Sequence, residues 1–343
     1  MNKKDYSISA IRMLSTLMIV VLHIFQQIEK INNKIHYATD WLNLGLVMFF
    51  TISAFLYSNR DINKETRIRW ILHRYKELSI PSFIVCILTV IFYRIFIGDI
   101  PLRHIYYAIL SSLGLQVFVL DSWMFIQLWF LTYIIFCYLT VPLIQKINVK
   151  EISTFKFFSL IIFFTIIFQG IGTVLKMKMG ITVLSWGILL RFYLPYFIFR
   201  KYPIKSDSCK NIMKILSVLS MLLIVSTIFA RYIWKPSGVL SSLVELLFIY
   251  TQTITGTVLF YLLYNLFTKI SINSKVLEIS DKYSYYIYLT HCLFIGYNTS
   301  VIYKFSNIFI GIIMALIFTV VASVVVHIIT KNIKKLLQVK FNI

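Results

Sequence analysis

The chain is a succession of apolar runs, each about as long as a helix needs to cross a lipid bilayer, separated by short charged connections. A crossing takes roughly 20 predominantly apolar residues. Such runs lie at about 8–28, 41–58, 78–97, 123–145, 155–175, 181–199, 212–233, 240–268, 283–303 and 307–330. With 59% of 343 residues hydrophobic and a mean hydropathy of +0.81, a soluble fold would expose apolar patches large enough to aggregate. In lipid each segment must satisfy its own backbone, which makes these runs helices. The expectation is an all-α fold, a polytopic transmembrane helix bundle of about ten spans, with residues 1–343 forming a single integral membrane domain. Pro81, Pro142 and Gly170 fall inside runs, where neighbouring helices can accommodate them. The first run carries Arg12 and His23 and has no small-residue cleavage site, so it reads as a retained span and not a signal peptide. The stretch 100–122 is apolar but carries Arg103, His104 and Asp121, which suits the membrane interface.

A formal net charge of +21 raises nucleic acid as a partner, but that reading requires basic residues on one soluble face with aromatics between them. Here they are scattered through the connections. Of the 34 Lys and Arg, 23 fall on one side of a ten-span arrangement and nine on the other. This asymmetry places both termini in the cytoplasm, makes membrane lipid the expected partner and leaves no nucleic-acid role. The longest polar connection, 59–77, is too short to fold by itself. The chain shows no strong internal repeat of the kind many transporters carry. Cys86, Cys137, Cys209 and Cys292 have no C-x-x-C spacing, and none pairs with a metal-ligand His pattern. They read as small core residues, with no disulfide framework and no metal site.

Ionisable groups inside spans cost about 2.5–3.5 kcal/mol for a central Arg, so each is a functional candidate. Arg12 and His23 stand eleven residues apart. Eleven steps of 100° leave a remainder of about 20°, so both lie on one helical face about 16 Å apart along the axis. A guanidinium and an imidazole on one stripe suit a polar interior; snorkelling of Arg12 and a plain interhelical hydrogen bond from His23 are the structural alternatives. Arg67, Arg69, Arg74 and Lys76 form a basic cytoplasmic loop, suited either to topology and anionic lipid or to a phosphorylated cytosolic donor. Ser53, in a run of small residues, reads as a packing position. Glu245 is either hydrated or paired with Arg231 or Lys235. Arg191 has Tyr193 and Tyr196 as candidate partners. His327 reaches the interface, and His291, placed about 12 Å deep, needs a partner.

Four stretches in order along the chain carry a resemblance: Ile11-Arg12 through His23; Phe49-Phe50-Thr51-Ile52-Ser53-Ala54-Phe55-Leu56; Gln127-Leu128-Trp129-Phe130-Leu131 followed by Pro142; and Ile279-Ser280-Asp281-Lys282-Tyr283-Ser284-Tyr285-Tyr286-Ile287-Tyr288-Leu289-Thr290-His291. Together they resemble the type-3 membrane acyltransferase family, the bacterial multi-pass O-acyltransferases of surface polysaccharides. Two positions depart from its pattern. Ala54 stands where the family has Gly, and Glu77 takes the place of the second arginine of an R-x-x-R pair that ends at Arg74-Tyr75-Lys76-Glu77.

The resemblance implies an acyl-CoA donor, acetyl-CoA or another acyl-CoA, entering from the cytoplasm. It implies an acceptor hydroxyl on a glycan or lipid-linked glycan, and a setting in the bacterial cytoplasmic membrane. In that reading His23 is the general base and Arg12 steadies donor phosphates or charge near the thioester. His291 orients the acceptor or relays a proton, and Arg69, Arg74 and Lys76 bind the donor. Direct transfer is favoured over an acyl-enzyme because no Ser-His-Asp or Cys-His constellation is legible. A saccharide exporter without transfer activity is the alternative of a different class, and a scaffold for glycan assembly a third.

Overall fold

The computed structural model describes residues 5–29, 36–96, 98, 100–118, 123–179, 184–270, 275–296 and 300–341. Among them there is no strand. Twelve α-helices follow one another: α1 (Tyr6–Glu29), α2 (His36–Leu42), α3 (Leu44–Ser58), α4 (Arg67–Phe96), α5 (Leu102–Ser112) and α6 (Trp129–Ile144), then α7 (Thr154–Met179), α8 (Trp186–Lys201), α9 (Asp207–Ile228), α10 (Val239–Lys269), α11 (Lys275–Ile295) and α12 (Ile308–Phe341). The result is an all-α polytopic helix bundle. Seven segments are long and apolar enough to cross a membrane: α1, the stretch Thr39–Ser58, α4, α7, α9, α10 and α12. The other three expected spans are occupied by α6, α8 and α11, so every apolar run has its helix. α6 and α8 have only 16 residues each, and α11 carries Lys275, Glu278, Asp281 and Lys282 in its first turns.

Helix ends depart from hydropathy ends. The basic connection expected as a loop over 59–77 is helical from Arg67 onward. Arg, Lys, Leu and Glu are good helix formers, and no Gly or Pro intervenes before Pro81. Hydropathy marks where a helix leaves lipid, whereas the hydrogen-bond ladder ends only at a breaker. For the same reason α12 continues to Phe341, and α11 begins at Lys275 and ends at Ile295 instead of filling 283–303. The stretch 100–122 resolves into α5, packed beside α4, and a 3₁₀ turn at Gln116–Phe118; Asp121 lies outside the described residues. α6 starts after a second 3₁₀ segment, Trp123–Leu128, broken at Phe125 (φ −119°, ψ 26°).

Contacts divide the chain into two interleaved units. One comprises Met1–Ser15, Asn43–Lys64 and Leu139–Asn273. In it α3 is buried on nearly every side against α8 and α10. The backbones of α3 and α10 approach because Gly256 faces Val47: a Cβ at Gly256 would lie 2.5 Å from Val47 Cγ1. The ring of Phe55 packs on Phe199, Phe260 and Tyr264 with centroids 5.3–5.5 Å apart. Arg200 ties off one end of this unit, donating to the carbonyls of Ser58 (3.0 Å) and Gln145 (2.8 Å) and pairing with Asp61 (3.1 Å). α7 leaves most of its surface exposed, as a helix bordered by lipid does.

The other unit comprises Thr16–Leu42, Glu65–Tyr138 and Ser274–Ile343. Its core joins Val20 and Ile24 of α1, Ile295 of α11, Ile302 of the 3₁₀ turn Val301–Lys304 and Ala315 of α12, with Ile287 and Phe294 packed against them. α12 can begin close to the turn at Val301–Lys304 because Gly311 has no side chain there; a Cβ would lie 2.1 Å from the carbonyl oxygen of Ile302.

Candidate active site

Two helices of the second unit bring two histidines together. His23 lies 17 residues beyond Tyr6, the start of α1, and His291 lies 16 beyond Lys275, the start of α11. Each has travelled about 25 Å of helix. The apolar contacts of Val20 and Ile24 with the α11 side of the core turn the His23 stripe toward α11. The two rings meet with centroids 4.9 Å apart and planes inclined by 36°. His291 is fully buried and His23 half-buried. α11 starts eight residues before its apolar run, so His291 stands further along its helix than along that run.

Both imidazoles are held in one tautomer. Nδ1 of His291 donates to the carbonyl of Tyr288 at 2.6 Å, so in the neutral ring the lone pair is on Nε2. Nδ1 of His23 lies 2.8 Å from Oε1 of Gln26. With that amide oxygen accepting, Nε2 of His23 likewise carries the lone pair. Sγ of Cys292 sits 3.2 Å from Nε2 of His291. Further down α11, the hydroxyl of Tyr288 donates to the carbonyl of Gln127, and that of Tyr285 to the carbonyl of Leu78 at 2.9 Å. Tyr285, Tyr288 and His291 thus lie at every third position, and the two tyrosines fix the rotation of α11 against α4 and the 3₁₀ segment before α6.

Gln26, Tyr288, Gln127 and Cys292 were not singled out by sequence reasoning. Gln26 had a signal, its i+3 spacing from His23, and the matched depths of the histidines were another. Cys86, Cys137 and Cys209 are buried, as expected of small core residues. Cys292 is different: it is half-buried and stands beside the histidine pair. No metal-ligand spacing announced it: besides the adjoining His291, the other histidine, His23, is 269 residues away.

The remaining site residues divide. α1 is unbroken from Tyr6 to Glu29, so Arg12 keeps its place on the His23 stripe; it is half-buried and belongs to the first unit. On α4 the basic residues do not form one cluster. Arg67 and Arg74 are separated by seven steps, within about 20° of one face, while Arg69 and Lys76 share a face about 160° away. The Arg67–Arg74 face is also that of buried Pro81 and Val85. Nε of Arg67 is buried with no hydrogen-bond partner among the described residues, and Arg69 is exposed. Glu77 forms a 2.7 Å ion pair with Lys334 of α12.

In the first unit, Arg191 is 3% exposed and donates to Gln252 at 2.9 Å. The sequence offered Tyr193 and Tyr196 as candidate partners; the Tyr193 hydroxyl bonds that of Thr140 at 2.7 Å. Glu245 pairs with Arg231 at 3.5 Å, and Ser53 is half-buried within α3. In the second unit His327 packs edge-on against Tyr283 and Tyr286, with centroids 5.2 and 4.9 Å away.

Seven segments of membrane-crossing length define a multi-pass membrane protein, and one of its units brings two imidazoles side by side. A family model described as an acyltransferase domain matches residues 5–328. The chain belongs to the type-3 acyltransferase family and is a membrane acyltransferase. No curated protein and no solved structure matches it.

Proposed function

We propose that this acyltransferase moves an acetyl group from cytosolic acetyl-CoA to a hydroxyl of a cell-surface or capsular polysaccharide, or of its lipid-linked precursor, at the bacterial cell membrane. The observation that carries this reading is the histidine pair, two neighbouring imidazoles with each Nδ1 engaged. Nε2 of His23 takes the proton of the acceptor hydroxyl as its oxygen attacks the thioester carbonyl. The carbon–sulfur bond then breaks, and the departing thiolate of CoA recovers the proton. A positioned base of this kind contributes ~10²–10⁴-fold. Gln26 holds Nδ1–H of His23 throughout, and Nε2 of His291 is an acceptor beside the imidazolium that forms, which suits the relay role. Arg12 supplies positive charge on the same stripe of α1 for the donor.

Donor phosphates bind at the N-terminal turns of α4, where the helix dipole favours anions. Arg74, with Arg67 beside it on the inward face, makes the principal contact, because Arg matches phosphate geometry. Arg69 and Lys76, on the opposite face, add attraction for donor and anionic lipid. Glu77 stands apart from this role because Lys334 holds its carboxylate.

The test is mass spectrometry of surface glycan from cells with and without the chain, grown on isotopically labelled acetate. Labelled acetyl esters that depend on the chain support the reading; identical glycan in both strains contradicts it.

A further inference from the structure

The acid–base centre holds a third group that the transfer reaction does not use. We propose that His23, His291 and Cys292 form a binding site for a thiophilic divalent cation, zinc, and that its occupancy switches acyl transfer off. A ring nitrogen of each histidine and Sγ of Cys292 all lie within 4.8 Å of one another, and the Nε2–Sγ separation at His291 is 3.2 Å. Zinc holds imidazole nitrogen at ~2.0–2.1 Å and thiolate sulfur at ~2.3 Å in a tetrahedron, so its ligand atoms sit about 3.3–3.7 Å apart. Side-chain rotations of about an ångström complete three ligand bonds and leave the fourth position to water.

The surroundings are those a metal-binding imidazole needs. A ligating histidine usually donates its other N–H to an oxygen that fixes the ring. His291 does so to the Tyr288 carbonyl and His23 to the Gln26 amide, which directs both Nε2 lone pairs away from those partners. Two imidazoles and one thiolate make a borderline-soft set that selects zinc over magnesium or calcium, which take oxygen ligands. Binding expels the thiol proton of Cys292 to solvent and leaves the thiolate on the metal. The lone pair of His23 that coordinates the cation is then unable to accept the proton of an acceptor hydroxyl. This inhibitory half rests on His23 being the base; the binding itself does not.

The experiment titrates the purified full-length protein in detergent with cobalt(II), a coloured stand-in for zinc. The expected result is a saturating thiolate-to-cobalt charge-transfer band, with the visible bands of tetrahedral cobalt, that zinc bleaches. Cys292→Ser abolishes the charge-transfer band. His23→Gln, in a position that is only half-buried, weakens cobalt binding more than about tenfold. Absence of the band, or a band that survives Cys292→Ser, overturns the site whatever the transfer rate. In parallel, zinc inhibits acyl transfer by the parent protein, and Cys292→Ser resists that inhibition. A Cys292-dependent band together with undiminished transfer in saturating zinc supports the metal site and overturns His23 as the base.

Discussion

The Nε2 lone pair of His23 is directed by one hydrogen bond, from Nδ1 to the amide oxygen of Gln26 at 2.8 Å. Gln26→Leu removes that acceptor and frees the ring to turn or to change tautomer. The loss of one such bond is worth about 1–1.5 kcal/mol, so kcat should fall about tenfold with the donor KM unchanged in initial-rate measurements. An unaltered kcat would mean that Gln26 only packs. Arg12 and His23 were legible in the sequence because a charge and an imidazole inside an apolar run are conspicuous and their spacing can be converted to an angle. Gln26 was not, since a glutamine three residues along a helix is ordinary. The neighbourhood of Cys292 was not legible because His23 is distant in sequence and adjacent only after α1 and α11 pack.

Among the elements, α4 differs most from its expectation. Its apolar stretch was legible, yet the helix begins at Arg67, and that change sorts the basic residues onto opposite faces. Arg74→Gln should therefore raise the donor KM by about tenfold, the equivalent of ~1.4 kcal/mol, before it alters kcat, while Arg69→Gln changes it less. Equal effects would place the donor elsewhere. The ion pair of Glu77 with Lys334 is partly exposed at both ends, so Glu77→Gln should cost no more than about 1 kcal/mol and leave the donor KM as it was. In the first unit α3 and α10 depend on the absence of a side chain at Gly256. Gly256→Ala should destabilise the protein by ~1–3 kcal/mol, seen as a lower midpoint of thermal unfolding in detergent. An unchanged midpoint would mean that Val47 yields without cost.

For the molecule as a whole, ten apolar runs became ten helices, so fold class and order were legible from hydropathy alone. What hydropathy cannot carry is the depth of a residue within its helix, because that depends on where the ladder of hydrogen bonds starts. The family match extends over residues 5–328 and so includes parts of both contact units. An enzyme that uses acyl-CoA binds it, and a saccharide exporter has no reason to. CoA at about a hundred times its dissociation constant should stabilise the folded protein by about 2.7 kcal/mol, raising its unfolding temperature. No shift at saturating CoA would favour the exporter.

The central claim is that His23 removes the proton from the acceptor. It is tested most directly by comparing parent and His23→Gln proteins, matched for membrane insertion and for CoA-induced thermal stabilisation, in transfer of labelled acetyl from acetyl-CoA to isolated glycan. The account predicts that the variant still binds CoA and transfers acetyl ~10²–10⁴ times more slowly; transfer at the parental rate would contradict it.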